Sequence, residues 1–160
     1  MRVAELSFRY AKREDAGLVL QFITELATYE HIENEVTTNE KTLEEWMFDR
    51  QCAQVLFALE DGREAGFAIF FYNFSSFLGR AGLYLEDLFV RPEFRGRGYG
   101  KALLRQLARI AAEKGCGRME WCCLDWNQPS IDFYRSLGAK PMDSWTLYRL
   151  EGDTLEKLAK

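Results

Sequence analysis

The chain has 160 residues and a mass of 18.6 kDa, the size of one ordinary domain, and 48% of its side chains are apolar, enough to build a core without staples. A net charge of -4 and a pI near 5.2 argue against a general binder of nucleic acid or anionic membranes. A mean hydropathy of -0.29 with 29% charged residues describes a soluble globular protein, not a disordered or membrane-spanning one.

In chain order, the opening Met1-Arg2-Val3-Ala4-Glu5 lacks the apolar core of a secretory leader. Residues Leu6 to Ala11 alternate as a short strand. Glu14 and Asp15 open a helix whose Leu18, Val19, Phe22, Ile23 and Leu26 recur at helical spacing. Thr37 with Glu40 has capping-box spacing and predicts a second helix through Leu43, Trp46 and Met47. Val55–Leu59, a turn at Asp61-Gly62 and Glu64–Tyr72 form a hairpin, and Ala81–Val90 is a buried strand stopped at Pro92. Ala102, Leu103, Leu104, Leu107, Ile110 and Ala111 then make one face of a helix closed by Gly115. Arg118–Leu124 predicts a strand, Pro129 to Leu137 a helix stopped by Gly138, Ser144–Leu150 a last strand, and Leu155–Ala159 a short amphipathic tail. The order β-α-α-β-β-β-α-β-α-β, without repeat or linker, gives an α/β class with a mixed sheet in a single domain over residues 1–160. Cys52, Cys116, Cys122 and Cys123 form no CxxC pair, and His31 is the one histidine, so no metal site is expected and a reduced, cytoplasmic protein is. The Cys122-Cys123 pair fits two strand residues facing opposite ways better than a redox motif.

The most informative stretch is Val90-Arg91-Pro92-Glu93-Phe94-Arg95-Gly96-Arg97-Gly98-Tyr99-Gly100-Lys101, between a strand end and a helix start. Glycine permits positive φ and close backbone approach, and a helix N-terminus offers unpaired N–H donors to phosphate. Arg91, Arg95, Arg97, Lys101 and Arg105 crowd this part of an otherwise acidic chain. The spacing GxGxG fits neither the dinucleotide fingerprint nor Walker A, where Lys101 would need Ser or Thr after it instead of Ala102. The plain alternative is a flexible turn with solvated arginines.

Arg95, Gly98 and Gly100 fill the pattern [Q/R]-x-x-G-x-[G/A], and the segment resembles the coenzyme A loop of the GNAT N-acetyltransferases. Leu83–Val90, Phe94-Arg95-Gly96 and Trp126–Tyr134 are similar to the diamine (spermidine/spermine) and thialysine acetyltransferase branch, and Glu25–Glu30 is similar to its early substrate-side segment. The likeness runs from about Phe8 to Leu150. It implies the GNAT acyl-CoA N-acyltransferase fold, a central mixed, twisted sheet flanked by helices, with acetyl-CoA as cosubstrate and no metal. It also implies transfer of the acetyl group to a primary amine of a small cationic acceptor in a ternary complex.

The resemblance assigns roles by position. The loop amides over Arg95, Gly96, Arg97, Gly98, Tyr99, Gly100 and Lys101 would grip the pyrophosphate. The strand Leu88-Phe89-Val90 would pair with the pantetheine arm, the Leu88 amide facing the oxyanion. Tyr134 would be the general acid at the leaving thiolate, although periodicity alone also fits an aromatic packed on the sheet. Asn127 and Ser130 would touch coenzyme. Glu86 would bind the amine and help deprotonate it, with Asp87 as second candidate; simple strand alternation sends these two to opposite faces. Tyr29 and Glu30 would line the acceptor side. By charge partition alone, Glu33, Glu35 and Asp125 could add negative charge there, and Glu33 and Glu35, in a polar connection, fit plain solvated charges equally well. The diamine enzymes carry an acid where this chain has Ser75, which weakens the case for a polyamine preference. A small-molecule amine and, by resemblance, a second copy of the chain are the expected partners, with no nucleic acid and no membrane. Acetylation of a protein lysine or N-terminus, or of an aminoglycoside, is the competing enzymatic reading; a non-catalytic coenzyme A sensor is the other.

Overall fold

The computed structural model describes residues 2–160. They divide into two compact units, residues 2–122 and Cys123–Lys160.

The first unit is built on five strands in the order β1 (Leu6–Tyr10), β2 (Gln54–Glu60), β3 (Arg63–Ser75), β4 (Arg80–Val90) and β5 (Met119–Trp121). Neighbours are antiparallel except β4 and β5, which run parallel. A parallel neighbour needs a crossover, and α3 (Tyr99–Glu113) supplies it. Helix α1 (Ala16–Tyr29) buries Val19, Phe22 and Leu26 against Phe57, Phe67, Ile69 and Phe89 on one face of the sheet. Phe22 stacks on Phe67 with centroids 5.0 Å apart. Leu103 of α3 lies over Gly66 on the other face, where an added Cβ would sit 2.8 Å from the carbonyl oxygen of Phe89. Successive β4 side chains are thereby divided: Phe89 faces α1, while Leu88 and Val90 reach toward Gly100 of α3.

Three expectations need correction in this unit. The helix after Thr37 is α2 (Glu40–Glu44), and its cap is Asn39, whose side chain accepts from the Thr42 N–H at 2.9 Å. Asn39 lies immediately before the helix with extended backbone, which puts its oxygen within reach of that amide; Thr37 is two residues too early. Trp46 and Met47 fall in a wider π turn over Glu45–Asp49. The strand after α3 is only Met119–Trp121, because its ladder with β4 ends at Leu85↔Trp121, one residue before β4 loses regular register.

The second unit holds α4 (Gln128–Ser136), stopped at Gly138 with φ 89°, and α5 (Gly152–Leu158). Ser144–Leu150 does not form the expected strand. β-propensity is not enough without a ladder partner, and Trp145, Leu147 and Tyr148 are left 76%, 75% and 90% exposed.

Candidate active site

The centre of the site is an irregularity in β4. Ile69 opposes Asp87, but the next residue, Phe70, opposes Leu85, so Glu86 faces no residue of β3. This one-residue bulge interrupts the regular alternation of β4 at Glu86. Asp87 shares the α1 face with its cross-strand partner Ile69. Burial there, together with the negative charges of Glu86 and Glu30, raises the Asp87 carboxyl to about 7. Glu86 itself is exposed. Glu30 caps the C-terminal end of α1, its N–H donating to the Leu26 carbonyl, and burial followed by Glu35 raises its carboxyl as well. These carboxylates meet where the helix's own carbonyls already present negative potential. The arrangement favours a cation.

Beyond the bulge, β4 is open on the β5 side. Arg91 N–H donates to the Ala65 carbonyl at 2.9 Å. By the antiparallel alternation, the Phe89 N–H also turns toward β3, whereas those of Leu88 and Val90 turn away from it, toward the side where β5 has ended. The Val90 carbonyl follows the same rule and accepts from Arg95 Nε at 2.9 Å. Strand Leu88-Phe89-Val90 thus offers a short edge with no strand partner on that side among the described residues.

At the end of that edge the loop turns into α3. Gly96 and Gly98 have φ of 78° and 81°, the left-handed region. The Ala102 N–H is the donor to the Gly98 carbonyl, so the amides of Tyr99, Gly100 and Lys101 precede the helical ladder, and Gly98 brings no side-chain cap to them. Lys101 is exposed beside them. These free amides, positive helix end and open space at Gly96 and Gly98 suit a phosphate-bearing ligand.

The arginines of the loop do different jobs. Arg91 pairs with Glu25 at 3.1 Å, donates to the Glu64 carbonyl at 3.2 Å and lies over the Phe22 ring, tying the loop to α1. Arg95 lies over the rings of Tyr29 and Phe89, 5.1 and 5.2 Å from their centroids, and so joins the loop to the segment that carries Glu30. Arg97 is ion-paired with Glu60. The pairings of Glu25 and Glu60 do not show in the sequence, where their partners are 66 and 37 residues away.

Asn127, Ser130 and Tyr134 belong to the second unit. Asn127 is buried and caps α4, its side-chain oxygen accepting from the Ser130 N–H at 3.4 Å. Tyr134 follows Ser130 by four residues, on the same side of the helix, and its half-buried ring lies 5.6 Å from Phe133. Ser75 is 4% exposed and its hydroxyl accepts from the Leu78 N–H at 3.2 Å, bracing the β3–β4 turn.

A mixed sheet with a free β4 edge running into a glycine turn and a helix N-terminus matches the acetyltransferase (GNAT) family, whose model fits residues 20–139. The chain belongs to that family and is an N-acetyltransferase. It is similar to the thialysine N-epsilon-acetyltransferase of Sus scrofa, 33% identical over 98% of this chain and 99% of that one. It is 45% identical to the L-ornithine N5-acetyltransferase of Arabidopsis thaliana over 64% of this chain and 45% of that protein. Among solved structures, an integron cassette protein from the mobile metagenome of V. cholerae superposes with a TM-score of 0.81 at 28% identity, covering 97% and 98% of the two chains.

Proposed function

We propose that the protein transfers the acetyl group of acetyl-CoA to a primary amine of a small cationic acceptor (a diamine, a polyamine or a thialysine-like amino acid) by direct attack in a ternary complex. The observation that carries this reading is the gathering of Glu30, Glu86 and Asp87 beside a free strand edge that leads to a phosphate-suited loop. The named relatives acetylate the side-chain amine of an amino acid, which fits an acceptor with a terminal ammonium.

Bound acetyl-CoA would supply the activated thioester. The loop amides and Lys101 would hold its phosphates, and the Leu88 N–H would stabilise negative charge on the carbonyl oxygen. Exposed Glu86 attracts the acceptor's ammonium, and Asp87, titrating near neutrality, takes the proton that must leave before the nitrogen can attack. Tyr134 then donates a proton to the departing thiolate. Ser75 is committed to its turn and brings no charge, so long polyamines gain little over short amines.

Thiol release from acetyl-CoA with a panel of amines, aminoglycosides and lysine peptides tests the reading. Release with diamines or basic amino acids, with initial-rate lines that intersect when both substrates are varied, is the expected result. Tight coenzyme binding without release for any acceptor would make the protein a sensor, and parallel lines would replace direct attack by an acetyl-enzyme.

We also infer a homodimer. The outer edge of β5 has no strand partner among the described residues, and Trp145, Leu147 and Tyr148 expose large apolar side chains. Light scattering at micromolar concentration should give twice the chain mass; a monomeric mass overturns this.

A further inference from the structure

Glu60 closes β2 at 3% exposure, a carboxylate with almost no access to water. Such a group must be paired or it would be protonated or expelled. Its partners are Arg97, Tyr99 and Arg63. The Tyr99 hydroxyl donates to Oε1 at 2.7 Å, Arg97 Nη1 donates to the same oxygen, and Arg63 Nη2 reaches Oε2 at 3.4 Å. The hydroxyl bond and the guanidinium hold the Glu60 carboxyl below the usual carboxylate range, so it stays charged.

Arg97 and Tyr99 are the two neighbours of Gly98, the residue whose positive φ turns the chain into α3. One carboxylate oxygen therefore grips the side chains on both sides of the turn. The Tyr99 ring is itself buried with Phe94 and Ala65, and the guanidinium groups of Arg63 and Arg97 lie over the Phe94 ring. The β2–β3 hairpin thus forms a rigid anvil for a glycine-rich segment that would otherwise have wide backbone freedom.

We propose that Glu60 is a positioning residue for the coenzyme: by clamping Arg97 and Tyr99 it fixes the amides around Gly98 in their binding orientation before the ligand arrives. This rests on the reading that the loop binds acetyl-CoA. The clamp removes ordering cost from the binding step. It also gives Arg97 a different role from Lys101, since its charge is spent on Glu60 while that of Lys101 stays available to phosphate.

The test compares wild type with Glu60→Gln, Tyr99→Phe and the double variant. Glu60→Gln keeps the shape and removes the charge; Tyr99→Phe keeps the buried ring and removes one hydrogen bond, which guards against a variant that merely fails to fold. Hydrogen exchange of the coenzyme-free proteins should show faster exchange of the 96–101 amides in Glu60→Gln, with the core strands unchanged. The acetyl-CoA Kd and KM should rise about tenfold in Glu60→Gln and about threefold in Tyr99→Phe. The double variant should be little weaker than Glu60→Gln alone, because both changes remove the same clamp. At saturating coenzyme the kcat of Glu60→Gln should stay within about twofold of wild type, a split that a general loss of structure would not give. Unchanged exchange, or an unchanged Kd beside normal wild-type binding, overturns the role of Glu60 alone. Absence of acetyl-CoA binding in wild type overturns the coenzyme reading and this role with it.

Discussion

Asp87 stands directly across the β3–β4 ladder from Ile69, a carboxyl opposite a side chain of the apolar core. The bulge at Glu86 creates that relationship by shifting the register by one residue between Ile69 and Phe70. Burial at this place raises the Asp87 carboxyl to about 7, and Glu86 and Glu30 push in the same direction.

The stability consequence has a definite sign. The folded acid keeps its proton to higher pH than the unfolded chain, so its contribution is full below the unfolded value of about 4 and is lost as pH rises through about 7. Asp87→Asn cannot ionise. Its Tm should match wild type near about pH 4 and exceed it near about pH 8. In activity, the wild-type kcat/KM should carry a rising limb with its midpoint near 7 that the variant lacks. A constant Tm difference across the range, together with the limb persisting in Asp87→Asn, would remove Asp87 as the proton acceptor.

Gly98 offers a second test. At φ 81° a valine is strained by about 1–2 kcal/mol, and its branched side chain would also project into the space assigned to phosphate. Gly115, at φ 76° after α3, provides a control with the same kind of strain away from the loop. Both valine variants should lower Tm, and only Gly98→Val should abolish acetyl-CoA binding by calorimetry. Equal binding by the two would show that the turn does not hold coenzyme.

Much of this arrangement is legible in the sequence because it is local. The apolar spacing of Val19, Phe22 and Leu26 forms a helix stripe, and the glycines between Val90 and Lys101 announce a turn that needs left-handed backbone. What escapes is non-local. Alternation assigns Glu86 and Asp87 to opposite faces, and nothing in the neighbouring residues reports that β3 will skip one of them. Glu60 reads as the ordinary polar end of a hairpin strand until the fold brings Arg97 and Tyr99 to it. Ser144–Leu150 has the composition of a strand, but composition supplies no ladder. Ser75 is uncharged by its identity, but its burial and its bond to Leu78 become visible only in the turn.

Tyr134 can be separated into ring and hydroxyl. Tyr134→Phe retains the contact with Phe133 and deletes the proton donor. A loss in kcat of about tenfold or more is expected, with the acetyl-CoA Kd nearly constant. The loss should shrink for an acyl donor whose leaving thiol is more acidic, since that thiolate needs less help. Equal kcat in the two proteins would leave Tyr134 with a packing role.

Glu86 is the residue whose charge, more than its shape, should decide which amines are used. It is exposed at the bulge, next to the buried Asp87, so it meets the incoming ammonium while still solvated and adds long-range attraction at modest desolvation cost. Glu86→Gln keeps the volume and removes that attraction. KM for a diamine should rise by roughly threefold to tenfold, and by more than KM for an amine of similar size with a neutral tail, because Glu30 remains to hold a second ammonium that now enters a less negative site. Added salt should narrow the gap between wild type and variant as it screens the exposed charge. The Glu86→Gln change also removes one of the negative charges that raise Asp87, so the limb in kcat/KM should move to lower pH. An unmoved limb with unchanged KM for every amine would take Glu86 out of the site and leave Asp87 and Glu30 as its acidic pair.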